Sequence, residues 1–168
     1  LLALVDGQPR QLSLRQLLQT FLDYRELTLI RRTSYALRKT EDRLEVVDGL
    51  INALNNLQAV ITMIQEARDA ASARASLMVR LDLSERQADA VLAMPLRRLT
   101  GLEQESLRQE LEELRAERER LRLLLDNRDQ LLDAMVDELK TLKKRFSTPR
   151  RTRLVEGGDA LIAERAAS

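Results

Sequence analysis

The sequence predicts an all-α protein: a long antiparallel two-helix coiled-coil arm capped by a small globular helical dimerisation knob, with a short extended segment at the C-terminus. Three observations predict it. Leu107, Leu111, Leu114, Arg118, Leu121, Leu125, Arg128, Leu132, Met135, Leu139, Leu142 and Phe146 alternate steps of four and three with no Pro or Gly between them. That is a heptad seam, charged only at its two arginines. Leu44, Val47, Leu50, Ile51, Leu54, Leu57, Ile61 and Ile64 repeat the same spacing earlier in the chain. Between the two runs lies a stretch of caps and breakers, residues 69–101. A compact insertion joining the far ends of two rods makes them antiparallel. The later rod, about 40 residues at roughly 1.5 Å each, spans ~60 Å, and its seam needs a partner helix to leave water. The expected pairing sets Leu50, Leu54 and Ile61 against Leu121, Leu125 and Leu132.

Composition agrees. Charged residues make up 33% of the 168 and aromatics 2%, which favours helix and coiled coil over a broad core. Cys and His are both absent. Disulfides, thiolate chemistry and the commonest general base and metal ligand are therefore excluded. No apolar run approaches about 18 residues, so no membrane span is expected. No leader is visible, and cytoplasmic residence fits. Leu1 opens inside an apolar run, as in a segment cut from a longer polypeptide.

In chain order, Leu1 to Val5 is a short apolar run followed by Asp6-Gly7-Gln8-Pro9, a turn signal. The run reads as a strand or as the end of a preceding element. Ser13 and Gln16 form a capping-box pattern opening a first rod over residues 14–68. Its apolar face begins with Leu14, Leu17, Leu18, Phe21 and Leu22. Its middle, Thr28 to Thr40, is basic and poorly patterned. Gly49 is its one weak helix former and a candidate hinge. The knob, residues 69–101, starts with the soft Ala70-Ala71-Ser72-Ala73 stretch and a short helix over 75–80. Ser84 and Gln87 cap a helix over 85–94. Pro95 ends it, and Thr100 with Glu103 caps the second rod, residues 102–146, where Asp126-Asn127 is the other candidate hinge. Residues 147–168 are an extended tail.

Charge is nearly balanced, with 28 basic against 27 acidic residues, but unevenly spread. Residues 25–43 hold Arg25, Arg31, Arg32, Arg38, Lys39 and Arg43 against three acids, and residues 140–153 hold seven basic residues against none. An antiparallel hairpin brings both to its base, where they suit the phosphates of a nearby nucleic acid. The same residues also serve as helix faces with long stems over apolar surface. The acids Glu103, Glu105, Glu110, Glu112 and Glu113 fall at the tip. Arg118 and Arg128, within the seam, are expected to pair with acids on the opposite helix. The knob carries more apolar residues than so short a segment can bury: Leu77, Met78, Leu81, Leu83, Val91, Leu92, Met94, Leu96, Leu99 and Leu102. A second copy is the economical cover. The expected dimer interface is Leu83, Val91, Met94, Leu96, Arg97, Leu99 and Leu102. No phosphate loop, metal-spaced cluster or nucleophile–base pair is present, so no catalytic, cofactor or metal residue is assigned.

Several stretches resemble a known family. Met94-Pro95-Leu96-Arg97-Arg98-Leu99-Thr100-Gly101-Leu102-Glu103 resembles the M-x-L-R-R-L-T-G-L-E run of bacterial type IIA DNA topoisomerase A subunits. Leu83-Ser84-Glu85-Arg86-Gln87-Ala88 is similar to the L-S-E-x-Q-A run that precedes it. Arg31 to Lys39 resembles R-R-T-x-Y-x-L-R-K, and Arg150-Arg151-Thr152 resembles the family's later R-R-T. Ala3-Leu4-Val5-Asp6-Gly7-Gln8-Pro9 is more similar to the gyrase branch than to the topoisomerase IV branch. Pro95 stands where Arg is commoner.

The resemblance implies that residues 1–13 end a tower domain and that the knob is the exit gate (C-gate) through which a transported duplex leaves a homodimer. It implies a partner B subunit, with ATP and Mg bound there and no cofactor in this segment. It also implies transient contact with double-stranded DNA, for which Arg31, Arg32, Arg38, Lys39, Lys143, Lys144, Arg150 and Arg151 are the candidates. The compartment implied is cytoplasmic, bacterial or organellar, and nucleoid-associated. The family's catalytic Tyr lies upstream in a domain not represented here. Neither Tyr24 nor Tyr35 matches its motif, so the segment is part of an enzyme but inactive alone. The alternatives are the topoisomerase IV equivalent and, from other classes, a nucleic-acid-binding arm or a structural coiled-coil spacer.

Overall fold

The computed structural model describes residues 1–152. The tail beyond, including most of the expected extended run Arg151 to Val155, lies outside the described residues. Among the described residues there are two strands, six α-helices and one 3₁₀ turn, so the all-α expectation holds apart from one hairpin. The chain divides into two compact units, residues 1–133 and residues from 134 onward; each is described by itself.

Strands β1 (Leu2–Val5) and β2 (Gln8–Gln11) are antiparallel, with Val5 opposite Gln8. Asp6 and Gly7, at φ +52° and +74°, form the two-residue turn whose twist matches that of the strands. The apolar run is therefore a strand. Helix α1 (Leu14–Asn55) opens on the expected box: Ser13 Oγ accepts from Gln16 N, and Gln16 Oε1 accepts from Ser13 N at 2.8 Å.

The first rod ends earlier than residue 68. At Asn56 the backbone leaves the helical region, and α2 (Leu57–Glu66) is a separate helix. The Asn56 side-chain amide donates to Asn52 O at 2.9 Å, a local bond that competes with helix continuation. Val60 and Met63 of α2 then enter the same cluster as Leu77, Leu83 and Val91, so the knob begins at Leu57. Helix α3 (Ala70–Leu81) is longer than the expected 75–80. Asp69 caps it, accepting from Ser72 N at 2.7 Å, while Ser72 Oγ accepts in return from Asp69 N. The alanine-rich stretch is good helix former once capped.

Helix α4 (Glu85–Leu92) carries the Ser84–Gln87 box as expected. A 3₁₀ turn, Leu96–Leu99, follows, with Pro95 as its extended leading residue. Helix α5 (Gly101–Asp126) starts after Thr100, but Thr100 makes no side-chain cap. Its hydroxyl donates back to Arg97 O at 3.0 Å, so this third capping box does not form.

The second rod breaks at Asn127, which takes an extended backbone, and α6 (Arg128–Phe146) begins there. Asn127 Oδ1 accepts from Asp129 N and Gln130 N at 3.0 and 3.3 Å, capping the new helix. At the restart Leu131 takes the buried place expected of Leu132, which is only half-buried, while Met135 is buried as expected. Beyond residue 133, α6 carries the Lys140–Asp137 pair and Arg145 stacked over Phe146.

The core is one cluster built from Val47, Leu50 and Ala53 of α1, Val60 and Met63 of α2, Leu77 and Leu83, Ala88 and Val91 of α4, and Leu107 and Leu111 of α5. Helices α1 and α5 are antiparallel: Arg43 meets Glu110 and Glu41 meets Arg122, while Glu26, earlier on α1, meets Arg128 at the start of α6. The register differs from the expected one. Leu50 lies in the cluster with Leu107 and Leu111, with Leu54 packed against it, while Ile61 belongs to α2 and is exposed. Leucines at heptad spacing are interchangeable under a slide, and the fold-back at Asn56 together with the ion pairs fixes which meet.

The middle of α1 is better patterned than its composition suggests, since Leu29 and Thr33, one turn apart, are both buried. Gly49 is helical and buried, and is no hinge. A Cβ there would meet Gln87 Cγ at 2.6 Å and Cβ at 2.7 Å, so α4 seats closely on α1 at this point.

A candidate dimerisation surface at the knob

Polar side chains hold the knob on the arm. Ser84 Oγ donates to Glu45 Oε1 at 2.6 Å, Gln87 Nε2 donates to Glu45 O at 2.9 Å, and Arg86 pairs with Asp42 at 2.6 Å. Arg74 joins α3 to α4 through Glu85 and Asp89. Asn52 Nδ2 donates to Leu81 O at 3.2 Å. The 3₁₀ turn is tied to α5 by Gln104 Nε2, which donates to Leu99 O at 3.0 Å. Pro95 sets the direction of the turn: its φ of −69° and ψ of 143° interrupt the helix, and its ring cannot supply an N–H to continue one.

This frame sorts the seven expected interface residues. Leu83 and Val91 are 5% and 4% exposed and form part of the chain's own core, and Met94 packs against it. All three were expected on the interface because composition alone cannot tell which apolar knob residues the packing of α4 on α1 and α3 covers. Leu99 is half-buried. Leu96 and Leu102 stand out at 82% and 85% exposure, with Arg97 exposed between them.

Val79 of α3, at 83% exposure, was missed. A period argument finds it. Ala73 and Leu77 mark the buried face one turn apart, and Val79, two residues on, points away. Large apolar residues standing this far into water, on α3, the 3₁₀ turn and α5, make this face a candidate interaction surface.

The eight basic candidates, Arg31, Arg32, Arg38, Lys39, Lys143, Lys144, Arg150 and Arg151, divide by position. The first four lie on α1, the next two on α6 and the last two beyond it. All eight are exposed. Within the seam, Arg128 makes the expected pair: its Nε and Nη2 donate to the two oxygens of Glu26 at 2.7 and 3.0 Å. That hydrogen bond, and then the guanidinium's charge, hold the Glu26 carboxyl below its ordinary value of 4.5.

Arg118 does not make the expected pair. The acids at its level of α1, Glu41 and Asp48, are taken by Arg122 and Arg115, and the Arg118 Nε is buried without a hydrogen-bond partner. Tyr24 and Tyr35 are 66% and 63% exposed. Tyr24 edges a hollow of about 480 Å³ between the hairpin and α1, lined also by Leu4, Leu17, Phe21 and Leu27. Among the described residues no helix is long and apolar enough to cross a membrane, and no group of acidic residues could hold a metal ion.

Comparison with known proteins identifies the family. Residues 1–140 match the family of the A subunits of DNA gyrase and topoisomerase IV. The chain is 45% identical over 161 residues to the A subunit of DNA topoisomerase 4 from Synechocystis sp., covering 96% of this chain and 18% of that protein. It is 43% identical over 162 residues to the A subunit of DNA gyrase from the same organism, covering 96% and 19%. It is 40% identical over 158 residues to the A subunit of DNA gyrase from Staphylococcus epidermidis, covering 94% and 18%. The chain thus spans about a fifth of the length of the curated relatives it matches. It belongs to the family of DNA gyrase and topoisomerase IV A subunits, the A subunits of the type IIA DNA topoisomerases.

Proposed function

We propose that this chain is the coiled-coil arm and exit-gate segment of a gyrase-type A subunit. Two copies meet through the knob and close the path by which a transported duplex leaves the enzyme. The observation that carries this is the trio Val79, Leu96 and Leu102, each more than four-fifths exposed on a knob pinned to an antiparallel helix pair. The segment performs no chemistry itself. The ATP and Mg2+ of the working enzyme, and its B subunit, act elsewhere in a cytoplasmic assembly. Bending and parting of the arms is served by the helix restart at Asn127. The hollow beside the hairpin, with the exposed Leu14, Leu18 and Phe21 of α1, is where the rest of a longer A subunit would seat.

The Ala3 to Pro9 turn favours the gyrase branch, while the 45% identity to a topoisomerase IV relative keeps that equivalent as the second reading. Equilibrium sedimentation tests the gate. The wild-type chain sediments as a dimer and Leu96→Asp as a monomer that circular dichroism shows to be folded. A Leu96→Asp chain with wild-type dimer affinity overturns the reading.

A further inference from the structure

The exposed leucines of the knob do not specify how two copies register, but the charges beside them do. Next to Leu102 lies a hollow of about 350 Å³ lined by Leu102, Glu103, Glu105, Ser106 and Gln109. One wall is apolar and the rest is a set of hydrogen-bond acceptors. Glu103 makes no ion pair with any described residue, and Glu105 only a long one to Arg108 at 3.9 Å. The Gln109 amide nitrogen donates to Glu113 at 3.2 Å, and its oxygen is an acceptor. Such a site suits a group with several planar N–H donors on an apolar stem, which is a guanidinium.

An arginine of that kind stands five residues before Leu102. Arg97 is exposed on the 3₁₀ turn, adjacent to Leu96, and makes no ion pair with any described residue of its own chain. The cation thus adjoins one protruding leucine in sequence, and the acceptor hollow is lined by the other. A twofold contact lays a patch on itself, so each point meets the point across the axis. An axis through the leucines brings the Arg97 side of one copy onto the Glu103–Glu105 side of the other, and the reverse by symmetry.

We propose that Arg97 of each copy docks in the Leu102–Glu103–Glu105–Ser106–Gln109 hollow of the other. Two arginine latches then fix the register of the gate and make its closure sensitive to ionic strength. The inference rests on the dimerisation reading above and adds its polar half.

The test is sedimentation equilibrium of the 168-residue chain, with circular dichroism as the fold check. Arg97→Glu faces two acids twice per dimer and is expected to weaken the dimer by about tenfold or more. Arg97→Lys, which keeps the charge but loses the fork, should weaken it less. Glu103→Arg with Glu105→Arg should weaken it as Arg97→Glu does, and combining the three changes should restore most of the affinity.

Wild-type dimerisation should also weaken as salt rises, and the Arg97→Glu dimer should not. If Arg97→Glu or the paired glutamate changes leave the affinity as in the wild type while Leu96→Asp abolishes it, the latch is refuted and the gate stands. If all three changes together are weaker than either set alone, the two sites do not meet, and the latch is likewise refuted. A wild-type chain that is monomeric, or a Leu96→Asp chain that still pairs, refutes the gate reading and the latch with it.

Discussion

Gly49→Ala is expected to destabilise the fold, against the general rule for a helix interior. On an open helix face the change would gain about 1 kcal/mol. Here the added methyl would sit 2.6 Å from Gln87 Cγ and 2.7 Å from its Cβ, well inside van der Waals contact. The glutamine cannot swing away cheaply. Its Oε1 accepts from Ser84 N at 2.9 Å, closing the α4 capping box, and its Nε2 donates to Glu45 O at 2.9 Å. Backing α4 off costs overpacking strain of about 1–3 kcal/mol. Losing the cap or the α1 bond adds about 1 kcal/mol for each. After subtracting the helical gain, a net loss of about 1–3 kcal/mol follows. Urea unfolding of the two chains measures it, as a lower midpoint at unchanged slope. A Gly49→Ala chain as stable as the wild type, or more so, would refute the close seat of α4 on α1.

Two further perturbations probe other parts of the fold. Leu77→Ala empties a site with no exposed surface at the centre of the knob and should cost about 2–5 kcal/mol by the same unfolding assay; a loss near zero would mean that α3 is not held by the core. Glu26→Gln removes the partner of Arg128. Because the folded carboxyl sits below its ordinary 4.5, the wild-type advantage is full above that value and disappears as pH falls through the lower folded one. Unfolding midpoints from neutral pH to about pH 3 should therefore converge for the two chains, and a difference constant across the range would contradict the pairing.

Much of this fold was legible because the capping signals are local. Ser13 with Gln16 and Ser84 with Gln87 each fix a helix start from four residues, and Asp6-Gly7 fixes a hairpin turn from two. The heptad spacing likewise announced a helix pair, and the compact insertion between the two runs announced its antiparallel sense. What spacing could not carry is register, because a slide exchanges one leucine for another at little local cost. Arg43–Glu110 and Arg128–Glu26 are long-range choices invisible in a one-dimensional pattern. The ends of the rods were lost for a similar reason. Asn56 and Asn127 break helices in which the apolar spacing runs on unchanged, by side-chain bonds that compete with the helix.

The candidate surface was half legible. Ten apolar residues in a short segment did signal surplus apolar area. Which of them face water depended on how the short helices pack: α4 seats on α1 and α3, and α3 on α2, which puts Leu83 and Val91 in the chain's own core and leaves Leu96, Leu102 and Val79 outside.

The measurement that bears most directly on the gate is the mass of this chain in solution. One chain is 19.3 kDa. At micromolar concentration the account predicts a particle of about twice that mass, reverting to one chain when Leu96 is made Asp. A wild-type particle of single-chain mass would contradict it.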